Sequence, residues 1–72
     1  QLLQTGKMKE AIEVFKINVE TFPKSGNVYD SLGEAYLADG DKKLAIANYK
    51  KSVELDPTNE GGKKVLEELS KK

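Results

Sequence analysis

Residues 26–57 read GNVYDSLGEAYLADGDKKLAIANYKKSVELDP and contain the second copy of a pattern that first appears 34 positions earlier. The matching positions are Gly6, Lys9, Ala11, Ile12, Lys16, Val19, Glu20 and Pro23 with Gly40, Lys43, Ala45, Ile46, Lys50, Val53, Glu54 and Pro57, and Phe15 is answered by Tyr49. An amphipathic helix brings back its apolar face every three or four residues, but not a glycine, an alanine, an aromatic residue and a proline in one order. The period is therefore architectural and is typical of a protein built from stacked repeats.

The composition excludes several classes of function. The 72 residues hold 12 lysines and 12 acidic residues, with no histidine, cysteine or arginine. The chain therefore lacks the usual general base, thiolate nucleophile and soft metal ligands, so we expect no catalytic site, cofactor or metal. A net charge of zero gives no electrostatic reason to expect nucleic acid as a partner, and the lack of a long apolar run predicts no membrane insertion. The cellular compartment stays open.

The first helix is predicted from Met8 to Phe22. Its apolar residues advance in steps of three and four along one stripe, and Pro23 ends it because proline forces its predecessor out of helical geometry. Residues 1–5 are expected to be the last turn of a preceding helix that stops at Gly6. Because the chain opens on Gln1 rather than methionine, we expect it to be part of something longer. The stripe consists of Met8, Ala11, Ile12, Phe15, Val19 and Phe22.

Three more helices are predicted at 26–39, 42–55 and 60–70. Gly40 and Pro57 end the first two of them. Each is preceded by a residue whose side chain can accept a hydrogen bond from the first free amides of the helix. These expected N-caps are Ser25, Asp41 and Asn59.

The last predicted helix differs from the others in its first turn and on its outer face. Gly61 and Gly62 are expected to weaken it by about 1 kcal/mol each relative to alanine. Its outer face is polar, which predicts a cap that meets water where another repeat would otherwise stack. We therefore expect the array to end here.

A set of seven residues carries a family likeness: Tyr29, Leu32, Gly33, Tyr36, Ala45, Tyr49 and Pro57. Their order of aromatic, Leu-Gly, aromatic, alanine, aromatic and proline resembles the tetratricopeptide repeat, and the first unit shows the second half of the pattern at Ala11, Phe15 and Pro23. The resemblance implies an all-α fold of antiparallel helix hairpins stacked as a right-handed superhelix, with a C-terminal capping helix. The resemblance also implies that the chain is a single domain with three parts. These are the second half of a truncated repeat at 1–25, a complete repeat at 26–58 and a capping helix at 59–72.

The pattern has a physical reason in helix packing. Gly33 and Ala45 are expected to be small so that two antiparallel helices approach closely, while the three tyrosines fill the space between successive helices. Two positions depart from the alanine that the family usually has, namely Asn18 and Ser52. Serine is small enough to substitute, but a buried asparagine needs hydrogen-bond partners or costs about 1 to 3 kcal/mol.

The resemblance also implies a binding surface, because in this family the first helix of each unit lines a concave groove. Family members that bind the acidic carboxyl-terminal tails of chaperones use lysine, arginine and asparagine there. Asp30 and Glu34 disfavour that ligand by like-charge repulsion. A plain solvated helix face is the alternative interpretation. The expected groove residues are Asn27, Asp30, Ser31, Glu34, Leu37 and Ala38, continued by Lys64, Glu68 and Lys71 of the final helix.

The expected function is a protein-interaction or assembly module without catalysis, whose partner is a protein or peptide. An alternative comes from residues 27–52, which also look like the repeat tails that follow catalytic domains in some bacterial serine hydrolases of the esterase and penicillin-recognising kind. The chain would then be a C-terminal regulatory or packing tail, and a Ser-x-x-Lys or Gly-x-Ser-x-Gly motif upstream would favour this. A designed consensus array is disfavoured by Asn18, Gly61 and Gly62.

Other chemical sites have simpler explanations. Glu67 and Glu68 are adjacent on a helix and point apart, so they form a charged surface rather than a catalytic pair. Asp39 and Asp41 are explained by helix ending and capping rather than by a calcium loop, which needs more oxygen ligands at fixed spacing. Residues 61–64 lack the spacing of a phosphate-binding loop.

Self-association is the last expectation. Without an opening helix, the first unit leaves the inner face of its helix uncovered, including Phe15. Exposed apolar area of this kind recruits partners, so we expect self-association or helix exchange between copies.

Overall fold

The computed structural model describes the backbone of residues 2–71 and the side chains of residues 7–71. It contains four helices, α1 (Leu2–Thr21), α2 (Gly26–Ala38), α3 (Lys42–Leu55) and α4 (Glu60–Ser70), and no strand occurs in the described backbone. The predicted all-α fold is confirmed, and the last two helices have the predicted bounds. The second helix ends one residue earlier than predicted, since Asp39 is its C-cap.

Gly6 does not end a helix, so the predicted break is wrong. α1 runs through this position without interruption. One period later, Asp41 accepts a hydrogen bond from the backbone amide of Leu44 at 3.2 Å and so begins a new helix. The counterpart of Asp41 is Lys7, whose side chain has no acceptor. Without a cap, a lone glycine costs a helix only about 1 kcal/mol, and the helix continues.

The turns after α1 and α3 repeat the same hydrogen bonds 34 residues apart. Behind α1, the amide of Phe22 donates to Asn18 O at 2.8 Å, and the amide of Ser25 donates to Phe22 O at 3.0 Å. Behind α3, the backbone amide of Asp56 donates to Ser52 O at 2.8 Å, and the backbone amide of Asn59 donates to Asp56 O at 3.0 Å. The period seen in the sequence is therefore a period of the backbone.

Phe22 does not belong to the apolar stripe of α1, contrary to the prediction. The helix ends at Thr21, because Pro23 pushes the residue before it out of helical geometry. The side chain of Phe22 consequently leaves the packed face and is 57 % exposed beside the proline.

The turn between α2 and α3 depends on a left-handed glycine, as predicted. Gly40 has a φ of 89°, the amide of Gly40 donates to Leu37 O at 3.1 Å, and the amide of Asp41 donates to Tyr36 O at 2.9 Å. These paired bonds form a Schellman motif, in which a glycine adopts the left-handed conformation that other residues avoid. α3 is therefore brought back antiparallel to α2.

The expected cap of α2 is confirmed in position only. Ser25 is the N-cap residue in extended geometry, but its side chain makes no capping hydrogen bond. The first residue of the helix, Gly26, is buried instead against the end of α3, where a methyl group would lie 2.8 Å from Ser52 O. Backbone packing rather than a side-chain cap thus sets the start of this helix.

The core lies between the helices in a layered order. α2 packs on α1 and α3, and α4 packs on the other side of α3. The buried residues are contributed by α1, α2 and α3, and α4 covers them with partly buried apolar side chains. The core consists of Ile12, Leu32, Ala35, Tyr36, Ala45 and Tyr49, with Phe15, Val19, Val65, Leu66 and Leu69 packed against it.

No described helix is long and apolar enough to cross a lipid bilayer.

Candidate functional site

The crossing of α2 and α3 brings a large ring against a helix backbone. Tyr49 is 4 % exposed, and a methyl group built on Gly33 would lie 3.0 Å from two carbons of its ring. A side chain at position 33 would therefore require the tyrosine ring to shift by a few tenths of an ångström. Ala45, one helical turn before Tyr49, is 0 % exposed. Small residues thus allow the close approach that places the α2 surface.

Asn59 connects three helices through its side chain. Its Nδ2 donates to Asp30 Oδ2 on α2 at 2.7 Å and to Ser52 Oγ on α3 at 2.9 Å. Its Oδ1 accepts from the amide of Gly62 at 3.0 Å and caps α4, as predicted. Ser52 is fully buried, so its hydroxyl depends on this partner. We call Asp30, Ser52, Asn59 and Gly62 the Asn59 network.

The two glycines of α4, both of which are expected to weaken the helix, differ in their surroundings. A methyl group on Gly62 would lie 2.5 Å from Asn59 Nδ2, whereas one on Gly61 would meet only Asn59 Oδ1 at an ordinary 3.7 Å. Gly62 is buried and Gly61 is exposed. The absence of a side chain at position 62 is therefore a requirement of the Asn59 network.

The residues that the sequence assigned to repeat packing differ in burial. Leu32, Gly33, Tyr36, Ala45 and Tyr49 are buried; Ala11, Phe15 and Tyr29 are half-buried; and Pro57 is exposed in the turn before α4. Ala11 and Phe15 are less buried than their counterparts Ala45 and Tyr49, because α3 packs between α2 and α4 whereas the described part of α1 packs mainly on α2. Pro57 acts on the backbone and fills no space between helices.

The residues assigned to the groove form two groups. Asn27, Glu34 and Leu37 are exposed on α2, while Asp30 and Ser31 are half-buried there. Lys64 and Glu68 are exposed on α4, and no hydrogen bond or ion pair within residues 7–71 joins them to the α2 group. Asp30 is held by Asn59, so it is already engaged inside the chain. We call the surface of α2 that carries Asn27, Asp30, Ser31, Glu34 and Leu37 the α2 face.

The electrostatics of the α2 face converge on Tyr49. Burial raises the pKa of the Tyr49 hydroxyl above its usual value of 10.0, and the negative charges of Asp30 and Glu34 raise it further. Both carboxylates therefore act on the tip of this side chain, although the ring itself lies in the core. At neutral pH the hydroxyl is protonated and can both donate and accept a hydrogen bond.

The exposed apolar residues of α1 are not the predicted ones. Phe15 is expected to be uncovered, but other apolar residues of the helix are exposed instead. Phe15 packs against the core and is half-buried, whereas Val14 and Ile17 are 55 % and 59 % exposed. Their counterparts one period later are Asn48 and Lys51, which are polar. This difference between the two units is not explained by repeat packing.

The described residues offer no candidate metal centre. No group of three or more acidic side chains within them is arranged to hold a metal ion. Asp39 and Asp41 are the C-cap of α2 and the N-cap of α3, as predicted. Asn18 is half-buried, and no buried polar side-chain atom without a partner occurs in residues 7–71.

Comparison with family models matches residues 26–59 to the tetratricopeptide repeat. The matched segment contains α2, α3 and the capping residue of α4. It therefore includes the Gly33–Tyr49 crossing and the Gly40 turn, but only part of the Asn59 network.

Curated relatives align with most of this chain but are much longer. The small glutamine-rich tetratricopeptide repeat-containing protein 2 of Mycosarcoma maydis is 40 % identical over 63 residues, which are 88 % of this chain and 18 % of that protein. The heat shock protein STI1 of Saccharomyces cerevisiae is 39 % identical over 62 residues, or 86 % of this chain and 10 % of that protein. The Superkiller complex protein 3 of mouse is 34 % identical over 55 residues, or 76 % and 4 %. The chain thus spans less than a fifth of each of these relatives.

Proposed function

We propose that this chain binds a protein or peptide partner along the α2 face. Residues 26–59 are a tetratricopeptide repeat, and this family in general mediates protein interactions rather than catalysis. The observation that carries the proposal is the contrast between the two sides of α2. Leu32, Gly33 and Tyr36 are buried against the rest of the fold, while Asn27, Glu34 and Leu37 are exposed on the other side. The buried set holds a rigid helix whose exposed set is free to make contacts.

Side-chain chemistry supports a polar, specific contact at this face. Asn27 and Glu34 supply hydrogen-bond donors and acceptors, and the partly exposed Leu37 supplies apolar surface. A few polar groups beside an apolar anchor are typical of specific interfaces. Asp30 serves the fold through its bond to Asn59, so replacing it would disturb α4 as well as any partner contact.

Site-specific crosslinking tests the proposal. A photoreactive phenylalanine derivative replaces Glu34 or Leu37 on the α2 face, or Lys50 on the exposed side of α3 as the matched control. In cells that express the chain, we expect a partner to crosslink from positions 34 and 37 and not from position 50. Leu37→Lys should reduce the yield from position 34. A partner that crosslinks from position 50 alone would show that another surface is used.

A second copy of the chain is a second candidate partner, favoured by the exposed Val14 and Ile17. The chain itself supplies the control, because the counterparts one period later, Asn48 and Lys51, are polar. We expect the wild type to associate as its concentration rises, and Val14→Asn combined with Ile17→Lys to stay monomeric, as measured by sedimentation equilibrium. A wild-type mass that does not change with concentration would rule this candidate out.

The finer organisation of the chain stays a prediction. The division into units at 1–25, 26–58 and 59–72 rests on the repeat pattern alone. The likeness to tails of bacterial hydrolases finds no support among the relatives described above, whose names do not identify them as hydrolases.

A further inference from the structure

The hydroxyl of Tyr49 belongs to a core residue at the crossing of α2 and α3. No hydrogen bond to this hydroxyl is found among the described residues, although Tyr49 is only 4 % exposed. No buried polar atom lacks a partner in residues 7–71, so the hydroxyl must reach the surface. A tyrosine that buries its ring and presents only its hydroxyl offers a fixed polar contact at low conformational cost.

The position of the ring shows which surface the hydroxyl reaches. The ring lies on Gly33 of α2, at 3.0 Å from a methyl group built there. On a helix, residues three and four apart are neighbours, so Asp30, Glu34 and Leu37 lie on one strip of α2, and Gly33 forms the buried edge of this strip. The negative charges of Asp30 and Glu34 act on the Tyr49 hydroxyl, so we place the hydroxyl on the side of the strip that carries these two carboxylates.

This strip is electrically negative. The charges of Asp30 and Glu34 raise the pKa of the Tyr49 hydroxyl in addition to the effect of burial. Within residues 7–71, no lysine Nζ comes within 4.0 Å of the Asp30 or Glu34 carboxylate. The ion pairs in this part of the chain involve other acidic residues, namely Glu13, Asp39, Glu54 and Glu60. Asp30 Oδ2 accepts from Asn59, and no second hydrogen bond engages its Oδ1 within the described part of the chain.

We propose that the Tyr49 hydroxyl, the Glu34 carboxylate and Asp30 Oδ1 form a subsite for one positively charged side chain, a lysine or arginine, of a partner peptide that lies along α2. The inference rests on the proposed function, because it assigns the chemistry of a ligand to the same face. An ammonium group has three donors and no acceptor, and a guanidinium has five donors, so either can bind several oxygens of such a set. The negative charge of this strip also disfavours acidic partners, because like charges across an interface repel each other.

A titration with short peptides tests the subsite. The probes are acetylated and amidated glycine-serine peptides with one central lysine, arginine or glutamate, added to the isotope-labelled chain and followed by amide resonances in NMR spectra. We expect the lysine and arginine peptides to shift the resonances of Gly33, Glu34 and Tyr49 at about tenfold lower concentration than the glutamate peptide, which corresponds to about 1.4 kcal/mol.

Two variants connect this preference to the named groups. Glu34→Gln should weaken binding of the basic peptides about fivefold, because it removes the negative charge that faces the cation. Tyr49→Phe should weaken it about threefold, because it removes a hydroxyl that accepts a hydrogen bond from the cation. Phenylalanine keeps the buried ring, and circular dichroism checks that the fold is retained. Glu67→Gln, which removes an exposed carboxylate of α4, is the matched control and should bind as the wild type does.

The outcomes separate this inference from the proposed function. Equal binding of basic and acidic peptides, no binding of any peptide, or unchanged binding by Glu34→Gln and Tyr49→Phe would overturn the cation subsite. If a partner still crosslinks from position 34 in that case, the α2 face remains the binding surface and only its ligand chemistry is wrong. If crosslinking also fails at position 34, the proposed function fails with it.

Discussion

Replacing Gly62 with alanine should destabilise the protein, although alanine is the better helix former. The added methyl group would lie 2.5 Å from Asn59 Nδ2 and 3.0 Å from Asn59 Cγ, so the amide must move. Its bonds to Asp30 at 2.7 Å, Ser52 at 2.9 Å and the amide of residue 62 at 3.0 Å are then lost or lengthened. Gly61 has no such neighbour, and its replacement is the matched control.

The magnitude follows from these contacts. Three hydrogen bonds at about 1 kcal/mol each, one of them to a charged group, amount to about 3 kcal/mol. The higher helix propensity of alanine returns at most about 1 kcal/mol, which leaves a net loss of about 2 kcal/mol. In a domain of this size that lowers Tm by roughly 10 °C, while Gly61→Ala should raise it by about 4 °C.

The assay is urea and thermal unfolding followed by circular dichroism. A double-mutant cycle makes it sharper, because Asn59→Ala removes the group with which the methyl collides. In that background Gly62→Ala should no longer destabilise and should stabilise slightly. If Gly62→Ala stabilises the wild type as much as Gly61→Ala does, the Asn59 network is not intact in solution and the reasoning is refuted.

Three further substitutions have defined outcomes. Asp41→Ala should lower the free energy of unfolding by about 1 kcal/mol because it removes a capping bond, whereas Ser25→Ala, whose side chain caps nothing, should change it by less than about 0.5 kcal/mol; equal losses would contradict this. Ala45→Leu should overpack a fully buried site and cost about 1 to 3 kcal/mol, and an unchanged Tm would place this residue outside the crossing. The raised pKa of Tyr49 stabilises the fold below pH 10.0, and this contribution is lost as the pH rises, because the unfolded state releases its proton first. Wild type should therefore lose more stability than Tyr49→Phe above that pH, and parallel pH profiles would disprove the linkage.

Local signals in the sequence predicted most of the helix boundaries. α3 and α4 begin at acceptor side chains, and the proline at position 57 separates them, so their limits follow from capping and backbone sterics alone. A glycine alone does not end a helix, and the break predicted at Gly6 is absent. Lys7 stands where Asp41 stands one period later, and the loss of that cap lets α1 continue.

The Asn59 network was missed because it joins side chains that are distant in sequence. One signal pointed to it. The first unit has Asn18 and Ser25 where the second has Ser52 and Asn59, so the same two residue types exchange places between the units. In the second unit these two residues are joined by the hydrogen bond from Asn59 to Ser52.

The functional detail of the α2 face required three-dimensional coordinates. Family resemblance named Asp30 and Glu34 together as groove residues, but only the fold shows that Asp30 is tied to Asn59 while Glu34 is exposed. It also brings the ring of Tyr49 against Gly33 of α2. Neither fact follows from helical periodicity, because both depend on how α3 and α4 cross α2.

The close contact between the Gly33 backbone and the Tyr49 ring can be measured directly by NMR in solution. With the ring packed on this glycine, the account predicts strong nuclear Overhauser effects between the Gly33 α protons and the Tyr49 ring protons, and ring-current shifts of those α protons. Gly33 resonances at unstructured values, without such effects, would contradict it, since the crossing that positions the α2 face would then not exist.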